Sequence, residues 1–330
     1  MPQPQHHHLT ETLLLEPLSP QKFQSKHPPQ RAGNALNIAY GGFTIAAAAQ
    51  TACKTAPPNY HLYTLMGNFL GPAFCDRPLL TTSRVIRHTR TFYTVQVEVL
   101  QSTVSKDGKE EERACLVALA DFQIQEAGDV LTYSAPPRFN YQPPKNLPPI
   151  HDNNARHVAE GRVSQKLVSA HNSSFSLFPA HFDIRPCPEG IFAQNLNGVA
   201  KTLATTQDAL PITSKTTADW WRCGTPLPTQ TDNIAAVAFV MDGSLSFVPL
   251  SFSNMFLDDV EACSTLDFAL RVFSNKVDFG KWVLREVITH AGAEGRTYSE
   301  ARMWDEEGKM LACMTQQSIM RKKAEGKGKL

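Results

Sequence analysis

The chain has no apolar run approaching the roughly 20 residues that a membrane-crossing helix needs, which argues against insertion into a bilayer. It also has almost no net charge: 32 Lys and Arg against 31 Asp and Glu leave +1. Without a basic field, nucleic acid is disfavoured as a partner. Seven cysteines, at positions 53, 75, 115, 187, 223, 263 and 313, show no CxxC or other metal-ligand spacing. An odd count without secretion signals reads as free thiols in a reducing compartment. Cys53, Cys115, Cys263 and Cys313 lie in apolar segments and read as small buried hydrophobes, not nucleophiles. There is no G-x-S-x-G elbow for a serine hydrolase, no G-x-G-x-x-G for a dinucleotide and no Walker motif. His151, His157, His171 and His181 are scattered through linker-like sequence and read as surface polar residues, not ligands. No metal or redox cofactor is implied. The opening Met1-Pro-Gln-Pro-Gln-His-His-His8 lacks the shape of a signal peptide and reads as a disordered terminus.

What is present is enough apolar residue, 42% of 330, for sizeable cores, and a length that suits two domains of about 150 residues each. A pattern is also written twice. Phe69-Leu-Gly-Pro-Ala-Phe-Cys-Asp-Arg-Pro-Leu-Leu80 leads to Arg90-Thr-Phe-Tyr93, and Phe273-Ser-Asn-Lys-Val-Asp-Phe-Gly-Lys-Trp-Val-Leu284 leads to Arg296-Thr-Tyr-Ser299. Both copies run on to a β-rich stretch ending at glutamine, Gln123 in one and Gln316-Gln317 in the other. A long repeat in two copies indicates a duplicated domain rather than a solenoid. Each copy is preceded by an apolar helical run, over 35–56 (ended by Pro57-Pro58) and over 232–247 (broken at Asp242-Gly243-Ser244). Alternation predicts strands near 60–70, 78–88, 90–102 and 112–125, and again near 262–273, 280–291, 295–304 and 309–321. A further strand is expected over 176–185 and a helix over 216–223. Three Pro-Pro pairs within 126–160 favour an extended linker. The expected organisation is a disordered segment over 1–30, an N-terminal domain over 31–126, a proline-rich linker over 127–175, a C-terminal domain over 176–322 and a basic tail over 323–330. Strand, long helix, then several antiparallel strands is the hotdog architecture. The fold class is therefore α+β, a double hotdog, in which edge strands of the copies could pair into one sheet.

Several residues at fixed spacing resemble the acyl-CoA thioesterase II (TesB-like) double-hotdog family, in its eukaryotic, fungal-type branch. In the first half these are Tyr40-Gly41-Gly42, Phe69-Leu70, Pro78, Arg87, Arg90 and Phe92. In the second half they are Phe182-Asp-Ile-Arg185, Trp282, Asp305–Gly308, Leu311-Ala312, Gln316 and Ile319-Met320-Arg321. Thr89 stands where the family usually has glycine, and 126–180 and 186–230 match little. The resemblance implies hydrolysis of acyl-CoA by an activated water, with no covalent enzyme intermediate and no cofactor. By motif position it assigns the catalytic roles to Asp242, Thr265 and Gln316. It also implies further pairing of double hotdogs into a homo-oligomer.

The residues fit that chemistry. A carboxylate within hydrogen-bond reach can activate water, a hydroxyl and an amide can align it, and N–H groups at a helix start such as Gly41-Gly42 can receive an oxyanion. Strand alternation puts Thr265 and Asp267 on one face, opposite Leu266, Phe268, Leu270 and Val272, so Asp267 is a rival carboxylate. Gln317 rivals Gln316, and only the family spacing separates them. The first-half helix carries Gln50 and Lys54 where the second has Asp242, so one site per chain is expected. Two other functions stand beside hydrolysis of acyl-CoA: acyl-CoA binding without turnover, and release of polyketide or fatty chains from a carrier protein. The C-terminal Gly-Lys-Leu330 resembles the Ser-Lys-Leu peroxisomal address, with glycine in place of serine; location is thus cytoplasmic or peroxisomal.

Overall fold

The computed structural model describes residues 7–105 and 107–323. The strands are β1 (Leu15–Ser19), β2 (Lys22–Ser25), β3 (Tyr60–Phe69), β4 (Leu80–His88), β5 (Phe92–Val104), β6 (Glu110–Ile124), β7 (Phe182–Pro186), β8 (Thr217–Cys223), β9 (Val260–Val272), β10 (Val283–Ala293), β11 (Arg296–Asp305) and β12 (Met310–Lys322). The α-helices are α1 (Leu9–Thr12), α2 (Gly41–Thr55), α3 (Ile150–Ala159), α4 (Gln165–Ser174), α5 (Ile191–Asn195), α6 (Gln230–Met241) and α7 (Val248–Ser251).

All twelve strands form one antiparallel sheet in the order β1-β2-β4-β5-β6-β3-β9-β12-β11-β10-β8-β7. Read outward from the centre, the two sides match: β3 with β9, β6 with β12, β5 with β11, β4 with β10, β2 with β8 and β1 with β7. The halves join where β3 pairs with β9, Thr64 opposite Arg271 through Asn68 opposite Asp267. The double hotdog is therefore borne out, including the pairing of edge strands.

The two long helices lie side by side within the curve of this sheet. Both are buried along almost their whole length, from Gly42 to Ala52 and from Asn233 to Met241. That explains their Ala-rich composition and the lack of a polar face: a helix enclosed on all sides has no stripe to give to water. Gly42 marks the closest approach. A Cβ there would overlap the Tyr40 ring and come within 2.7 Å of the Phe239 carbonyl oxygen. α6 starts with a capping box, Thr229 and Asp232 each accepting from the other's backbone N–H. α2 stops before Pro57-Pro58, since the residue before proline is driven out of the α region.

Several expectations are corrected. Residues 9–25 are ordered. Leu9, Leu13, Leu15 and Phe23 are buried, and Gln50 and Lys54 donate to the carbonyls of Leu13 and Leu15. This segment supplies β1 and β2, the outer strands of the first copy. Residues 217–223 form a strand rather than a helix, because Trp220 and Trp221 suit a sheet and β8 pairs with both β7 and β10. The strand expected over 176–185 begins only at Phe182. The linker is extended through about residue 143, pinned to the outer face of the second half by Trp304 Nε1 donating to Ala135 and Trp220 Nε1 to Gln142. Beyond it the chain folds into α3 and α4. His157, His171 and His181 are buried, not surface residues, because each ring is hydrogen-bonded inside. No helix among the described residues is long and apolar enough to cross a membrane. The Gly-Lys-Leu330 signal lies outside the described residues.

Candidate active site

Antiparallel packing of the central helices sets the start of α2 against the end of α6. Asp242 occupies the C-cap of α6 and is almost fully buried. Its Oδ1 accepts from Gln316 Nε2 at 2.6 Å, and the Gly42 N–H at the start of α2 also donates to the carboxylate. Burial pushes its pKa up to about 6, against these two hydrogen bonds, which lower it. A Cβ at Gly41 would fall 3.0 Å from Asp242 Oδ2 and 3.2 Å from the Phe69 ring, so a side chain there would crowd the carboxylate.

Gln316 is wholly buried on β12 and bridges two groups. While its Nε2 donates to Asp242, its Oε1 accepts from Thr265 Oγ1 at 3.0 Å. The sequence-predicted trio is therefore one hydrogen-bonded chain, Thr265–Gln316–Asp242. Asp242 and Thr265 line a cavity of about 460 Å³, together with Tyr40, Gly41, Phe69 and Phe247. Gln316 stands behind that wall and uses both ends of its amide on the other two.

The strand reading of Thr265 is corrected by a β-bulge. The register of β9 on β12 shifts between Asp267 opposite Gln317 and Thr265 opposite Ser318. The extra residue, Leu266, reverses the alternation. Thr265 thus joins the inner face of Phe268 and Gln316, while Asp267 and Gln317 lie on the other face. Asp267 and Gln317 therefore lie outside the hydrogen-bonded chain of Thr265, Gln316 and Asp242. The glycines also separate. The Gly42 N–H is occupied by the carboxylate, whereas Gly41 lines the cavity as the first residue of α2, with no carbonyl a turn behind it.

The sequence reading missed Arg285 and gave Tyr40 no role beyond its spacing. Arg285 is 3% exposed and pairs with Asp219, 13% exposed, at 2.9 Å. Its Nη1 donates to the carbonyls of Val240 and Gly243, at 2.9 and 3.1 Å, the ends of the turn that carries Asp242. A guanidinium there satisfies a helix C-terminus. The signal was available: Arg285 and Glu286 interrupt the otherwise apolar run Val283–Ile288, where a charge implies a buried partner. Tyr40 adds a second brace, its OH donating to Phe239 at 2.5 Å. Burial, with the Asp242 charge beside it, raises its phenol well above the usual value.

The first half offers no second copy of the site. β3 bulges as β9 does, between Leu62 opposite Phe122 and Thr64 opposite Asp121. Aligning the bulges sets Leu62 where Thr265 stands and Ala120 where Gln316 stands. The corresponding cavity is about 140 Å³ and is bordered by Cys53, Leu62 and Gln230 without a carboxylate.

The N-terminal-domain signature of acyl-CoA thioesterases matches residues 28–123, and the C-terminal-domain signature matches 179–320. The chain belongs to the acyl-CoA thioesterase family. Its activity is that of a thioester hydrolase, and acyl-CoA is the substrate of the family. Among solved structures, the acyl-CoA thioesterase II TesB2 of Mycobacterium marinum has a TM-score of 0.65 at 18% identity, over 97% of this chain and 98% of that one. The tesB protein of Mycobacterium avium subspecies paratuberculosis has a TM-score of 0.63 at 16% identity, over 94% and 96%. A hot dog fold protein of unknown function from Alicyclobacillus acidocaldarius has a TM-score of 0.64 at 18% identity, over 96% and 98%. At these identities the likeness is one of fold. Among curated proteins no relative matches the sequence.

Proposed function

We propose that this thioesterase hydrolyses acyl-CoA through a water held between Asp242 and Thr265. The observation that carries the reading is the chain of hydrogen bonds from Thr265 through Gln316 to Asp242 at a cavity wall. Because Thr265 gives its proton to Gln316, its oxygen keeps lone pairs for the water. Asp242 keeps an oxygen free of Gln316. Water donating to both turns its own lone pair outward, toward a thioester carbonyl in the cavity. As the water oxygen bonds to the carbonyl carbon, its proton passes to Asp242, which a carboxyl of pKa about 6 can accept near neutrality. The Gly41 N–H is the donor for the oxyanion. The C–S bond then breaks, and the proton on Asp242 passes to the departing sulfur. Gln316 is a positioning residue in this scheme: it orients the base and the hydroxyl. Cys263, also on the cavity wall, is no rival nucleophile, since burial pushes its thiol up to about 11.

Asp242→Ala should lower kcat for acyl-CoA at least about a hundredfold while far-UV circular dichroism stays native. Thiol release at the native rate in that variant would overturn the assignment.

A further inference from the structure

The loop from Leu70 to Leu79 forms one lip of the cavity through Leu70, Gly71, Pro72 and Ala73. Three arginines gather around it. Arg113 of β6 donates to the Pro72 carbonyl, and its guanidinium occupies the space that a side chain at Gly71 would need. Arg77 and Arg113 both lie against the Phe74 ring, 5.4 and 5.3 Å from its centroid. Arg31 precedes cavity-lining Ala32 and donates to Ala35 at 3.3 Å. It also faces the loop: burial raises the Cys75 thiol, and the Arg31 charge opposes that shift.

The charges are not balanced. Asp76 accepts from Arg77 at 2.7 and 3.2 Å and from Asn37 at 3.1 Å, and the remaining Arg77 nitrogen donates to the Ser102 carbonyl at 2.9 Å, so Arg77 is engaged. Neither Arg31 nor Arg113 has a carboxylate partner among the described residues. With Glu111 and Glu112, which precede Arg113 on β6, and Lys22, which pairs with Glu112 at 2.7 Å, four cationic side chains stand around this loop against three carboxylates. Arginine's planar fork suits phosphate oxygens. An acyl-CoA with its thioester inside the cavity carries its phosphates at the opposite end, outside the lip.

We propose that Arg31 and Arg113 form the seat for the phosphates of the CoA nucleotide, so that this loop recognises the leaving group rather than the acyl chain. The assignment rests on the Asp242 cavity being the thioester site.

The test compares acyl-CoA with the same acyl group on N-acetylcysteamine, which keeps the thioester and lacks every phosphate. In Arg31→Ala/Arg113→Gln, the ratio of kcat/KM for acyl-CoA to that for the truncated thioester should fall about tenfold. Arg31→Ala alone, at an exposed position with one backbone contact, should lower it about threefold. Added salt should reduce the ratio in the native enzyme and less in the double variant. An unchanged ratio in both variants overturns the proposal. A fall seen equally with a carrier-protein thioester assigns the seat to the phosphopantetheine arm and overturns the nucleotide assignment. Calorimetry with adenosine 3′,5′-bisphosphate needs no turnover: binding weakened about tenfold in the double variant supports the seat. Equal binding overturns it, even where the hydrolytic reading itself has failed for want of thiol release.

Discussion

At the scale of single residues, Asp242 is held between two helix ends of opposite polarity. The end of α6 disfavours a negative charge, whereas the first N–H groups of α2 favour one. Burial wins, and its pKa reaches about 6 from an ordinary 3.8. The proposed role as base needs the ionised form, so kcat/KM should fall as pH drops through about 6, which a pH–rate profile would register. Stability runs the other way. Between those values the folded chain holds a proton that the unfolded chain releases, so stability declines as pH rises through the window. The loss is complete above it, at roughly 3 kcal/mol. Asp242→Asn should therefore melt several degrees higher than the native protein at pH 8, with the gain vanishing toward pH 4. A variant that gained nothing at pH 8 would contradict the raised pKa. The ionised carboxylate that the proposed mechanism uses is thus held at a cost to the fold.

At the scale of elements, the end of α6 and the bulge of β9 do the placing. Arg285 and Asp219 form a buried pair whose value depends on both partners being present. Arg285→Met would leave the Asp219 charge without its cation, with only the Trp221 indole N–H still donating to it, and would take the side-chain donor from the Gly243 carbonyl. The loss should be about 3 to 5 kcal/mol in urea unfolding. Adding Asp219→Asn should return part of it, giving a coupling in a double-mutant cycle; purely additive losses would argue against the pair as the clasp. The bulge acts by geometry alone. Inserting Leu266 turns Thr265 from the face of Asp267 to that of Gln316. Simple alternation along 265–272 could not reveal this, because a bulge is fixed by pairing with β12 rather than by the residues of β9 itself.

At the scale of the whole molecule, duplication supplies two equivalent helix crossings, and substitution leaves one equipped. Leu62 and Ala120 stand where the second half has Thr265 and Gln316. In the same half Gln50 and Lys54 serve the N-terminal segment instead. A thioether analogue of acyl-CoA, which cannot be hydrolysed, should bind at one site per chain in calorimetric titration. Two sites per chain would mean that the smaller cavity also takes substrate. The N-terminal segment shows why local reading has limits. Six of the 17 residues over 9–25 are Leu or Phe but show no strand alternation, and docking of Leu9, Leu13, Leu15 and Phe23 onto the sheet and α2 stabilises the segment.

The duplicated motif, the two Ala-rich helices and the regular alternation of eight long strands were legible in the sequence, since periodicity and proline stops are local. So was the trio Asp242, Thr265 and Gln316, through spacing that matches a family. Tertiary structure decided the rest. It brought the start of α2 to the end of α6, gave the Gly42 N–H to the carboxylate and left Gly41 facing the cavity. It also placed Gln316 behind the wall rather than in it, and set Arg285 beneath the turn. Each of these depends on contacts between residues far apart in the chain, and packing fixes such contacts where local propensity does not.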